Sequence, residues 1–184
     1  MVSEYDFKTE LTRTQRDASD LAVKDLLLEM FPGATSARST TLIEDRSGID
    51  ISLLYGKREL SFDVKFRDLD PVDRYGIDDL ALETWSVVET SKVGWTRDSS
   101  KRSDYVLWYF TSSGRWALLP FPLLCTIFSE NWQKWRNQYR HAVQESNKGE
   151  WHSECVFVPQ QVIWDAILAR FTGRQSHGTE WMTR

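Results

Sequence analysis

Asp50, Asp63 and Lys65 are the residues whose types and spacing best suit chemistry. Asp63-Val64-Lys65 lies in a run where Leu60, Phe62, Val64 and Phe66 alternate with Ser61, Asp63 and Lys65. In a strand, that period of two puts Asp63 and Lys65 on one face and the apolar set on the other. Gly56-Lys57 makes a tight turn, and residues 49–55 before it read as the partner strand, with Asp50 at its start. Closing this hairpin places Asp50 opposite Asp63 or its neighbour, with Cβ atoms about 5 Å apart. Two such carboxylates suit a hard divalent cation, Mg²⁺ or Mn²⁺. A cation of that kind activates water, neutralises phosphoryl charge and stabilises a leaving oxygen. A neighbouring ammonium orients the water or stabilises charge. The chemistry these residues suit is phosphodiester hydrolysis. Equally, two acids and a lysine on an exposed hairpin face can simply be an ion-paired surface.

The elements that must position these residues follow from the hydrophobic pattern. Residues 13–30 read as a helix with Ala18, Leu21, Ala22, Leu26 and Leu28 on its apolar face, and Phe31-Pro32-Gly33 ends it. A polar stretch covers residues 34–39. Three strands are expected at 40–44, 49–55 and 59–66, the first two separated by the turn at 45–48. Residues 68–79 read as an acidic loop, and 80–89 fit either a strand or a helix, with the β-favouring run at 81–88 tipping the reading to strand. A loop covers 90–103, followed by strands at Tyr105–Phe110 and 115–119. Helices are expected at 123–143 and 160–171, with a short strand at 156–158 between them. The tail, 172–184, is polar and expected to be mobile.

This order implies an α/β fold with a mixed β-sheet flanked by helices. The 184 residues suit one domain, with a core at about 13–119 and a C-terminal helical extension at 120–171. Apolar residues at 41% and charged residues at 27% are an ordinary globular balance. The net charge of −4 argues against nucleic-acid binding through overall basicity, but not against a local basic groove. With Cys125 and Cys155 far apart and no CxxC, zinc is not expected. There is no signal-peptide pattern and no membrane-length apolar run, so a cytoplasmic protein without a membrane partner is expected.

Several other residues compete for roles. Lys92, Arg97, Lys101 and Arg102 flank Trp95 in one loop, a mixture that suits phosphate contact plus base stacking. The alternative is a solvated loop with Trp95 packed down. Glu83 interrupts an apolar run, so it is either a third metal ligand or a partner of one, or an exposed alternating position. Trp132, Trp135 and Tyr139 form a helical stripe that reads as core packing. His141, His152 and His177 show no metal-ligand spacing.

Asp50 followed by Asp63-Val64-Lys65, with a helix upstream, resembles the PD-(D/E)XK nuclease superfamily, also called restriction-endonuclease-like. The resemblance covers roughly residues 13–66, and the stretch from Leu82 to Tyr105 is similar to small phage-encoded relatives. Ile49 stands where the motif has Pro. The resemblance implies a core of helix, β-meander, helix and further strand. It also implies metal held by Asp50 and Asp63 with the Val64 carbonyl, and Lys65 positioning or helping to deprotonate water. Many members add an acidic residue from the first helix. Asp20 fits that place and Asp17 competes, although Asp20 and Lys24 also make an ordinary i,i+4 surface pair.

The resulting expectation is a Mg²⁺- or Mn²⁺-dependent deoxyribonuclease. RNA stays open as a substrate, as does a homodimer. The alternative is a non-catalytic accessory protein with the same fold. The isoelectric point of about 5.4 and the nine Trp suit one that binds a host or phage protein.

Overall fold

Residues 19–30 form helix α1, whose buried line is Val23 and Leu27, one helical turn apart. Leu21, expected on the apolar face, is instead exposed. The helix carries apolar residues nearly all round, so periodicity alone did not choose the buried side. Burial of Val23 and Leu27 contributes roughly 1.5–3 kcal/mol each. The computed structural model describes residues 19–40, 48–145 and 149–172. Asp17, the remainder of the expected first helix, most of the expected strand at 40–44 and the tail from 173, with His177, lie outside them.

The described chain is mixed α/β, with two sheets and four helices. The strands are β1 (Ala34–Ser39), β2 (Ile51–Tyr55), β3 (Arg58–Arg67), β4 (Asp79–Val87), β5 (Lys92–Val93), β6 (Tyr105–Phe110), β7 (Trp116–Pro120), β8 (His141–Glu145) and β9 (His152–Pro159). The later helices are α2 (Pro71–Tyr75), α3 (Phe121–Gln138) and α4 (Gln160–Thr172). Contacts group the chain into two units, Met1–Asp73 with Ser100–Phe121, and Arg74–Ser99 with Pro122–Arg184.

The first unit is built on a five-stranded sheet in the order β1-β2-β3-β6-β7. Only the β3–β6 pairing is parallel, so this sheet is mixed. Ile51, Leu53, Phe62, Val64 and Leu107 pack with Val23 and Leu27 of α1 as its core. Phe62 stacks on Tyr105 with centroids 5.4 Å apart. The second unit is a four-stranded antiparallel sheet, β5-β4-β9-β8. Alternate residues of β9, namely Glu154, Val156 and Val158, are buried, and Arg136 of α3 meets Glu154 at 2.7 Å.

Four expectations change. Residues 34–39 are a strand rather than a polar connection, and Thr40 lies just beyond it. As a sheet edge, β1 needs little apolar content, because its backbone pairs with β2. The acidic loop at 68–79 contains α2. Pro71 opens this helix and the Asp70 carboxylate caps it by accepting from the Val72 N–H at 2.9 Å. The loop at 90–103 contains β5 and a 3₁₀ turn at Trp95–Arg97. Helix α3 stops at Gln138 rather than 143, since His141–Glu145 pairs with β9 and that ladder outweighs local helix preference.

Candidate functional site

β2 and β3 pair with Ile51 opposite Phe62 and Leu53 opposite Leu60. At the end of this ladder the Asp50 N–H donates to the Phe62 carbonyl at 2.8 Å, and its carboxyl neighbours that of Asp63. From Asp63 to Arg67, β3 runs on past β2, paired in register with Val106–Phe110 of β6. At that step the Asp50 carboxylate replaces a backbone acceptor, taking the Val64 N–H at 2.6 Å. N–H and C=O of one strand residue point to the same neighbour, so the Val64 carbonyl faces the Asp50 edge too.

Lys65 donates to the Asp63 carboxylate at 2.6 Å, as expected for residues two apart on one strand face. Asp63 is 3% exposed, so its charge sits in a low-dielectric setting. The Asp50 carboxyl is pushed up to about 6. Burial is the largest cause, opposed by the Val64 N–H, while the Asp63 charge raises it and Lys65 lowers it.

Backbone anchors hold Asp50 from the other side. Thr40 donates its N–H to the Asp50 carbonyl at 3.0 Å, and its hydroxyl reaches both the Asp50 carbonyl, at 3.1 Å, and that of Ile49. The Ser103 hydroxyl donates to the Gly48 carbonyl. Sequence reasoning passed over Thr40 and Ser103. Their partners lie 10 and 55 residues away, and no local pattern marks a hydroxyl for such a role.

Asp20 lies in the first turn of α1. Its carboxylate accepts from Lys24 at 2.6 Å and from the Ser39 hydroxyl at 2.8 Å. Among the described residues, no three of Asp, Glu, His and Cys gather as a group able to hold a metal ion. The acidic pair Asp50 and Asp63 is therefore joined by Lys65, not by a third described carboxylate.

The loop expected to contact nucleic acid divides between the two units. Lys101 and Arg102 belong to the first, and Lys92, Trp95 and Arg97 to the second. The Arg97 guanidinium lies over Trp132 at 4.2 Å and Trp85 at 4.7 Å, and it donates to the Thr84 carbonyl at 3.3 Å. Trp95 is partly buried, and its N–H is taken by Glu83 at 2.8 Å. Glu83 thus organises the 3₁₀ turn of the second unit. Lys92 is exposed on β5. Trp135 is buried against Phe128, in keeping with a packing stripe.

No family model, curated protein or solved structure matches this chain. Among the described residues no helix is long and apolar enough to cross a membrane.

Proposed function

We propose that this protein is a metal-dependent deoxyribonuclease whose site is Asp50, Asp63 and Lys65. The observation that carries this reading is the Asp50 carboxylate on the Val64 N–H at 2.6 Å, neighbouring Asp63, with Lys65 on the Asp63 carboxylate at 2.6 Å. Helix α1, the β1–β2–β3 meander and the parallel strand β6 follow the element order of a restriction-endonuclease-like core. Between the meander and β6, where that core has a helix, this chain has α2, β4 and β5.

The donor set fits a hard cation. Asp50 and Asp63 offer carboxylate oxygens, and the Val64 carbonyl lies on the Asp50 side. Mg²⁺ or Mn²⁺ held there supplies charge neutralisation at the phosphate and a more acidic water. The chain's own contribution is positional. Thr40 and Phe62 fix the Asp50 backbone, Val64 fixes its carboxylate, and Lys65 holds its ammonium where it can orient water and meet developing negative charge.

The competing reading, a non-catalytic binding protein, has its own support in the Asp63–Lys65 ion pair, which can serve the hairpin alone. Cleavage of plasmid and short labelled DNA with Mg²⁺, Mn²⁺ or EDTA separates the two. Wild type should cut only with metal, and Asp63→Ala and Lys65→Ala should each lose activity by about 10²-fold or more while staying folded. Metal-dependent cutting retained by purified Asp63→Ala would overturn the assignment, and no cutting by wild type would favour the binding protein.

A further inference from the structure

β8 is the last strand of the second unit's sheet, and among the described residues only β9 pairs with it. The Phe157 N–H donates to the Arg140 carbonyl at 2.8 Å. In an antiparallel ladder, successive residues of an inner strand turn their backbone groups to opposite neighbours. Carried along the unbroken β8–β9 register, that bond has Ala142 and Gln144 turn their N–H and C=O toward β9. His141, Val143 and Glu145 turn theirs outward, away from the sheet.

An open edge of this kind invites another strand, and folded proteins blunt it with lysine, proline, bulges or brevity. The other described edges show these devices. β1 has a register shift between Ala34 and Ser36, β5 is two residues long and begins with Lys92, and β7 closes on Pro120. β8 keeps a regular register and contains no proline, lysine or arginine. Its central residue, Val143, is 55% exposed. A carboxylate, Glu145, stands at one end of the strand and an imidazole, His141, at the other.

That arrangement complements itself. Set antiparallel about a two-fold axis at Val143, two copies of β8 place valine opposite valine, and His141 of each copy opposite Glu145 of the other. Every one of these pairs joins residues whose backbone groups face outward, so the register that matches imidazole to carboxylate also closes the hydrogen bonds. All three side chains lie on one face, because side chains alternate along a strand. A slip of one residue would face outward groups with inward ones, and a slip of two would set Glu145 or His141 against Val143. Backbone direction and side-chain order are separate features of the strand, and they select the same pairing.

We propose that β8 is the interface of a two-fold dimer of this chain, formed by antiparallel strand addition with His141 against the partner's Glu145. This is independent of the deoxyribonuclease reading.

The test is sedimentation of the full chain over a concentration series, with amide exchange followed at both ends of the series. Wild type should pass from monomer to dimer, and the amides of His141, Val143 and Glu145 should exchange about 10-fold more slowly in the dimer. Val143→Pro removes an outward N–H, spares the β9 ladder and should weaken association about 10-fold or more. His141→Glu sets like charges opposite each other and should weaken it by about 10-fold. Adding Glu145→Lys to His141→Glu restores opposite charges in the same register and should bring association back to within about threefold of wild type. Gln144→Lys, a charge change on the other face of the strand, should alter it by less than about threefold. A dimer that survives Val143→Pro, or a double variant no better than His141→Glu alone, overturns the proposal. So does a monomer at every concentration, which leaves the β8 edge to a strand of another protein.

Discussion

Asp50 takes the Val64 N–H on its carboxylate at 2.6 Å, so one side chain both ends the β2–β3 ladder and stands against Asp63. A backbone donor is satisfied by a group whose ionisation is itself opposed by burial and by a neighbouring negative charge. Stability and charge are therefore in conflict at this position, and the conflict can be measured.

Asp50→Asn should stabilise the fold at neutral pH. The folded carboxyl titrates at about 6, above its ordinary 3.8, so its contribution is fully present below the ordinary value and is lost as pH rises through 6. Asn keeps an acceptor for the Val64 N–H without the charge. Discounted for partial exposure and for the charge shared with Asp63, the gain at pH 7 is about 1 kcal/mol and vanishes near pH 4. Urea unfolding at several pH values checks this, and a variant less stable than wild type at pH 7 contradicts it.

Asp70 should govern much of the acid sensitivity. The Arg115 guanidinium, bonded at 2.7 and 2.8 Å, is the main reason its carboxyl stays well below the usual carboxylate range, with help from Ser113 and the Val72 N–H. A lowered pKa means stability present above the unfolded value, about 3.9, and lost as pH falls below it. Arg115→Ala should cost about 3 kcal/mol at pH 7, because a nearly buried carboxylate is left unpaired. Its stability should also vary less between pH 5 and 2 than that of wild type.

Arg97 should behave as a packing residue. Removing the guanidinium from between Trp85 and Trp132 with Arg97→Met should cost about 2 kcal/mol. Arg97→Lys should recover little of that, since an ammonium lacks the planar face that stacks. Chemical unfolding followed by tryptophan fluorescence reads both, and loss of DNA binding without loss of stability would contradict a packing role.

Gly94 should resist substitution for a reason of space alone. Its φ is −71°, open to any residue, yet a Cβ there would lie 2.2 Å from the Glu83 carbonyl oxygen. Gly94→Ala should cost about 3 kcal/mol by forcing the 3₁₀ turn off β4. A thermal melt unchanged from wild type would show that the turn yields freely.

Asp20 offers a test of how many acids the site uses. Its carboxylate is taken up by Lys24 and Ser39. Asp20→Asn should lower metal-dependent cleavage by less than about 10-fold, against about 10²-fold or more for Asp63→Asn. Equal losses would place Asp20 in the metal site after all.

The sequence by itself determined the hairpin and which charged side chains it carries. Strict alternation through Leu60–Phe66 and a two-residue turn leave one register that buries Phe62 and Val64, and that register sets Asp50 against Asp63 and Lys65 on the same face. Tyr105–Phe110 was equally legible, because a continuous apolar run in a buried strand has no other use. Tertiary structure decided what local pattern leaves degenerate. It turned α1 on Val23 and Leu27, made a strand of Ala34–Ser39, and ended α3 at Gln138, in each case because a partner distant in sequence supplied the packing or the ladder. It also divided one basic, aromatic loop between two units, committing Arg97 to a pair of indoles and Lys101 to Gly48. Composition could mark those cations, but only long-range contacts could assign their neighbours, since a charge is defined by what it faces.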